Sequence, residues 1–127
     1  MKKTPSNIIV GTGTSEAFFE RSLTRARRMD RGEPLPAEMR LTFEDPADLL
    51  KLLTAQRVRV LSAVRKQPAA VSDLARILKR DRTAVKRDVK VLLSAGLLNT
   101  RDETNPGHGR RKIVEPLASK YELLATI

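Results

Sequence analysis

Thr83, Lys86, Arg87 and Lys90 recur three and four residues apart, a spacing that puts side chains on one face of a helix. Val85, Val89, Leu92 and Leu93 fall on the opposite arc. The guanidinium of an arginine can bond O6 and N7 of a guanine together, whereas a lysine reaches phosphates as a point charge. Arg87 is therefore the candidate for reading a base. Thr83 is suited to a thymine methyl or to a phosphate. Ser72, Arg80 and Arg82 supply further polar and cationic groups nearby, and Arg110, Arg111 and Lys112 form a second basic cluster behind a glycine-rich turn. Residues 73–90 hold seven Lys or Arg against three Asp, so the local field favours a polyanion.

Other chemistries find no residues to carry them. There is no cysteine and only one histidine, His108, which excludes disulfides, thiolate metal sites and a His-rich metal site. No nucleophile–base pair can be assembled with that histidine in a glycine-rich turn. No enzyme, metal or cofactor is expected. Gly11-Thr12-Gly13-Thr14 ahead of a helix resembles a phosphate cradle in composition. It lacks a strong preceding strand and a Gly-Lys-Ser/Thr ending, and reads as part of a flexible arm.

The chain has 127 residues and a formal net charge of +10, with an isoelectric point near 10.7. Such a charge attracts nucleic acid or acidic surfaces. Three Phe, one Tyr and no Trp leave little to stack on the bases of single strands, so a duplex backbone explains the charge better. No run of about 18 apolar residues is present. Ile8-Ile9-Val10 behind the basic Met1-Lys2-Lys3 start is too short for a signal-peptide core. A cytoplasmic, nucleoid-associated protein without membrane contact is expected.

The elements that must position these residues follow from pattern and punctuation. Residues 1–13 read as flexible. Thr14 or Ser15 caps a helix to about Asp30, with a narrow apolar stripe of Phe19, Leu23 and Ala26 and a cluster Arg21, Arg25, Arg27 and Arg28. That cluster suits DNA, an acidic partner or simple solubility. Gly32 ends the helix, and Glu33-Pro34-Leu35-Pro36 is a stiff linker. Met39–Phe43 alternates like a strand. Asp45-Pro46 opens a short helix to Leu53. Thr54 caps a helix over 55–66 with Val58, Leu61 and Val64 inward. Ser72 caps the next, over 73–79, with Leu74, Ile77 and Leu78 inward. Asp81 caps a helix over 82–95 that buries Val85, Val89, Leu92 and Leu93, and Gly96 ends it. Residues 97–101 and 111–114 read as strands around the turn Asn105-Pro106-Gly107-His108-Gly109. Residues 119–126 read as a last short helix.

Two helices about three residues apart, followed by a basic hairpin, have helix-turn-helix spacing. Ser72-Asp73-Leu74-Ala75, Asp81-Arg82-Thr83-Ala84-Val85-Lys86-Arg87-Asp88-Val89 and Leu92-Leu93-Ser94-Ala95-Gly96-Leu97-Leu98 resemble the winged-helix DNA-binding core of MarR-like regulators. The resemblance covers roughly residues 45–115. It implies a hairpin wing touching backbone or minor groove, a role falling on Arg110, Arg111 and Lys112. The long flanking helices that build a dimer and a ligand pocket in such regulators have no counterpart of the same length here. Thr42-Phe43-Glu44-Asp45-Pro46-Ala47-Asp48-Leu49-Leu50 is also similar to short regulators encoded as antitoxins, which implies a toxin partner for the arm.

The expected fold is mainly α with a small β-hairpin (α+β), a winged helix-turn-helix over 39–127 behind a flexible N-terminus and basic helical arm over 1–38. The expected function is a sequence-specific regulator of transcription that binds double-stranded DNA as a homodimeric repressor. The alternatives are an antitoxin that binds its toxin through the arm, and non-specific architectural binding. The strand at 39–43 and the N-terminal helix are the candidates for a dimer interface.

Overall fold

A computed structural model describes residues 7–35 and 38–127. Among them are five helices and five strands. The chain divides into two compact units: residues 1–50 with 120–127, and residues 51–119.

The first unit is built on a sheet that the sequence does not announce. β1 (Asn7–Thr12) is its central strand, flanked by β2 (Glu38–Phe43) and β5 (Lys120–Leu124), both parallel to it. Ile8, Ile9, Val10 and Gly11 are all buried. A central parallel strand is covered on both faces, so it shows an unbroken apolar run rather than alternation. Gly11 serves a close approach: a Cβ there would lie 2.6 Å from the Leu124 carbonyl oxygen. Thr12 Oγ1 accepts a hydrogen bond of 2.8 Å from the Thr126 amide, which ties the residues after β5 to the end of β1.

Two expectations are thereby corrected. Residues 7–12 are a buried strand, not a flexible arm, so the arm-like reading of residues 1–13 has no counterpart there; Met1–Ser6 lie outside the described residues. Residues 120–124 are a strand, not a helix, because pairing with β1 overrides the helix preference of Leu and Glu. The fold is α+β, as expected, but besides the hairpin it holds a three-stranded parallel sheet that the expected architecture lacked. Within the expected linker, Pro36 lies outside the described residues.

α1 (Ser15–Asp30) follows β1, with the Thr14 hydroxyl accepting from the Ala17 amide at 3.1 Å. Glu16 in its first turn and Arg27 and Arg28 in its last suit the helix dipole. No residue of α1 is buried. α2 (Pro46–Leu52) starts where Asp45 Oδ1 accepts from the Ala47 amide at 2.9 Å.

The second unit contains α3 (Ala55–Lys66), α4 (Val71–Leu78), α5 (Arg82–Ser94) and the antiparallel hairpin β3 (Leu98–Asn105) with β4 (Gly109–Pro116). Its core is formed by Val60, Leu61, Val64, Leu74, Val85, Val89, Leu92, Leu97, Leu98, Ile113 and Val114. The hairpin turns at Pro106 and Gly107, whose φ of +81° fits the third position of a type II turn; the His108 amide closes it onto Asn105 O at 2.9 Å. At the open end, Ala69 and Val114 exchange backbone hydrogen bonds of 3.2 and 2.9 Å, fixing the chain entering α4 against β4.

That anchorage sets the register of α4. The helix begins at Val71, directly after the pinned residues, with Ala70 at the cap position and no side-chain cap. Ser72 is thus an exposed residue of the first turn, not the cap. Leu74 and Ala75 are buried, while Ile77 is 58% exposed, against the expected inward position. In α3, Val60 is fully buried and Val58 only half-buried.

Candidate nucleic-acid interface

α4 and α5 are joined by a three-residue turn, Lys79-Arg80-Asp81. Lys79 takes the left-handed conformation at φ 53°. The amides of Lys79 and Arg80 then bond Arg76 O and Ala75 O at 3.2 and 3.0 Å, closing α4 as a Schellman motif built without glycine. Asp81 caps α5, its Oδ2 accepting from the Ala84 amide at 3.3 Å. At the far end, Gly96 (φ +77°) completes a second Schellman motif through Gly96 N to Leu93 O and Leu97 N to Leu92 O. Both ends of α5 are therefore fixed by local bonds.

Its sides are divided. Val85, Val89 and Leu92 are buried, and Leu93 is half-buried. Arg82, Thr83, Lys86, Arg87 and Lys90 are exposed, and none of their four charges pairs with a carboxylate among the described residues. On the hairpin, Arg110 and Lys112 are likewise exposed and pair with no carboxylate among the described residues. Arg111, on the other face of the same strand, turns to α4: its Nη1 is 3.4 Å from Asp73 Oδ2 and its Nη2 3.8 Å from Glu103 Oε1. Asp73 also pairs with Arg76 within α4.

Arg80 does not stand with the free cations. Its Nη1 lies 2.8 Å from Asp88 Oδ2, an ionic contact without hydrogen-bond alignment. Arg57 Nε reaches the other oxygen of Asp88 at 3.2 Å. Arg57 Nη1 also donates to the carbonyls of Lys51 and Leu52 at 2.9 and 3.1 Å, satisfying acceptors that the end of α2 leaves open. Asp88 is the one buried charged residue among the described residues. It does not belong to the basic surface among whose residues it lies in sequence. It ties α5 to the first turn of α3 and to the turn before α5.

Of the expected site residues, the structure thus brings together Arg82, Thr83, Lys86, Arg87 and Lys90 on one helix face. It places Arg110 and Lys112 on the hairpin, holds Arg111 beside Asp73, and leaves Ser72 exposed on α4. Arg80 is withdrawn into an ion pair. Asp73, Asp88 and Arg57 lie outside the expected site residues. For Asp88 a signal existed: Val85, Asp88, Val89 and Leu92 form one i, i+3, i+4, i+7 arc, so an acid on it needed a buried cation.

Fold and site together define a mixed α and β protein in which a capped helix and a basic hairpin present unpaired cations. The chain belongs to the HVO_A0114 family, whose family model matches residues 52–116. Among solved structures it is similar to a possible transcriptional regulator from Methanosarcina mazei Go1, with 23% sequence identity and a TM-score of 0.47 over 58% of this chain and 66% of that one. The chain thus spans a little less than two thirds of that protein's length. No curated protein matches the sequence. Among the described residues no helix is long and apolar enough to cross a membrane.

Proposed function

We propose that residues 51–119 are a winged helix-turn-helix of MarR-like type that binds double-stranded DNA sequence-specifically and regulates transcription. The observation that carries this reading is the division of α5. One face is committed to the core, and the other offers Arg82, Thr83, Lys86, Arg87 and Lys90 with no carboxylate among the described residues paired to them. A helix fits the major groove, where its early residues reach base edges. α5 is the recognition helix, Arg87 its guanine reader, and Lys86 and Lys90 its phosphate contacts. Arg110 and Lys112 on the hairpin meet backbone or minor groove. The protein acts as a dimeric repressor on an inverted repeat, since two-fold proteins match two-fold sites about one helical turn apart.

The test is selection of a preferred duplex from a random pool, followed by titration of that duplex and of a random one at two salt concentrations. A clear preference for the selected duplex is expected. Arg87→Ala should lose roughly 1–3 kcal/mol of specific binding and relax base choice at one position. Equal affinity for selected and random duplexes, with a steep salt slope, would leave only architectural binding.

A further inference from the structure

α1 is a 16-residue helix with no buried residue. Phe18 and Phe19 are each 62% exposed, Met29 64% and Leu23 39%. The residues it turns inward are instead Ala17, Arg21 and Arg28, all only half-buried. Phe19, Leu23 and Ala26 therefore form an outward apolar seam, with Ser22, Met29 and Phe18 along one side. Along the other side lie Glu16, Glu20 and Arg27. Glu16, Glu20, Arg25 and Arg27 have no ion-pair partner among the described residues. The exposed charges flanking the seam are also ordered: Glu16 and Glu20 lie in the first half of the helix and Arg25 and Arg27 in the second, while Asp30 closes the seam at its C-terminal end.

We propose that α1 is the surface through which two copies of this chain associate, the helices packing antiparallel about a two-fold axis near Ser22 and Leu23. The proposal extends the dimeric part of the reading above. The order of charges selects both the partner and the direction. A second copy running antiparallel sets Glu16 and Glu20 against Arg27, with Asp30 beside the partner's Ser15 at the end of the seam, whereas a parallel copy sets like against like. With the axis between Ser22 and Leu23, Phe19 of one helix covers Ala26 of the other, a large side chain over a small one. Leu23 packs across the axis. Arg27 falls between the partner's Glu16 and Glu20, because flanking positions on the same side meet in antiparallel pairs. Phe18 falls beside the partner's Arg25 and Met29, within reach of cation–π and sulfur–aromatic contact. Such an isologous patch is self-complementary, as a two-fold interface requires. One helix of about 24 Å per copy covers less than the roughly 800 Å² per partner of a stable complex, so this dimer dissociates on dilution.

Sedimentation equilibrium of the full chain over a wide concentration range tests it. A monomer–dimer equilibrium is expected, weakened at least ten-fold by Leu23→Arg and by Arg27→Glu. Adding Glu20→Arg to Arg27→Glu should recover most of the affinity. Because the chain has no cysteine, Ser22→Cys should give a disulfide-linked dimer on mild oxidation and Thr24→Cys should not. Circular dichroism checks that each variant stays folded. A wild-type chain that is monomeric throughout, or a dimer indifferent to Leu23→Arg, overturns the proposal, and a toxin-type partner for the same stripe then becomes the competing explanation. Affinity for a single DNA half-site, measured on the wild-type chain and on Leu23→Arg, reports on the DNA reading separately: half-site binding by a wild-type chain that never dimerises sinks only this proposal, and wild-type dimers that bind no duplex sink only the other.

Discussion

Arg80 Nη1 lies 2.8 Å from Asp88 Oδ2, and this contact takes one arginine out of a run that otherwise points to solvent. With Arg57 on its second oxygen, Asp88 holds α5 to the two segments that precede it. The side chains of Arg57, Arg80 and Asp88 are 19%, 20% and 11% exposed. Removing one member of such a group strands the others, which costs about 3 kcal/mol at the low end of the range for buried pairs. Asp88→Ala should therefore lower unfolding free energy by about that amount in urea titration. Arg80→Ala should lower stability while leaving the salt slope of DNA binding unchanged. A slope that falls by about one on Arg80→Ala would return this residue to the phosphate contacts.

Lys86 and Lys90 should behave in the opposite way. Each substitution by alanine removes an exposed, unpaired charge, so stability should stay within about 0.5 kcal/mol. Affinity should fall for all duplexes alike, with the slope of log K against log salt reduced by about one per lysine. Unchanged slopes for both variants would mean that this face of α5 does not meet the phosphates.

Gly11→Ala should destabilise the parallel sheet. Its new methyl would meet the Leu124 carbonyl at 2.6 Å, and backbone cannot swing aside as a side chain can. A cost of about 1–3 kcal/mol is typical of overpacking. Amide exchange should quicken in residues 120–124 more than in 85–92. Unaltered exchange in β5 would show that the strand shifts without loss.

Lys79→Gly should stabilise the protein. A non-glycine residue at φ 53° bears about 1–2 kcal/mol of steric strain, partly offset by glycine's greater freedom in the unfolded chain. A net gain of up to about 1 kcal/mol is expected in thermal unfolding. A lower Tm would mean that the lysine side chain contributes more to the turn than its backbone loses.

The second unit was legible because its signals are local. Asp81 before a helical pattern, Gly96 after it and Pro106-Gly107 between two strands each dictate a backbone conformation within a few residues. The exposed basic face of α5 followed from the same periodicity. What failed depended on contacts far away in sequence. Ile8-Ile9-Val10 is too short to distinguish a buried strand from a loop until its neighbours β2 and β5 are known. Residues 120–124 have helix-forming types and become a strand only beside β1. Arg80 reads as free until Asp88 is seen to be buried, and Ser72 reads as a cap until Ala69 is found bonded to Val114.

The parallel sheet joins segments that are far apart along the polypeptide: Thr12 and Thr126, linked by hydrogen bonds, are separated by 114 positions. The residues of the second unit, by contrast, are contiguous. On a ribosome that makes the chain from its first residue, the whole hairpin-bearing unit emerges before β5 exists. One edge of β1 thus stays open throughout that interval. The order of synthesis lets the helices and hairpin settle first, and this sheet is completed afterwards, by β5.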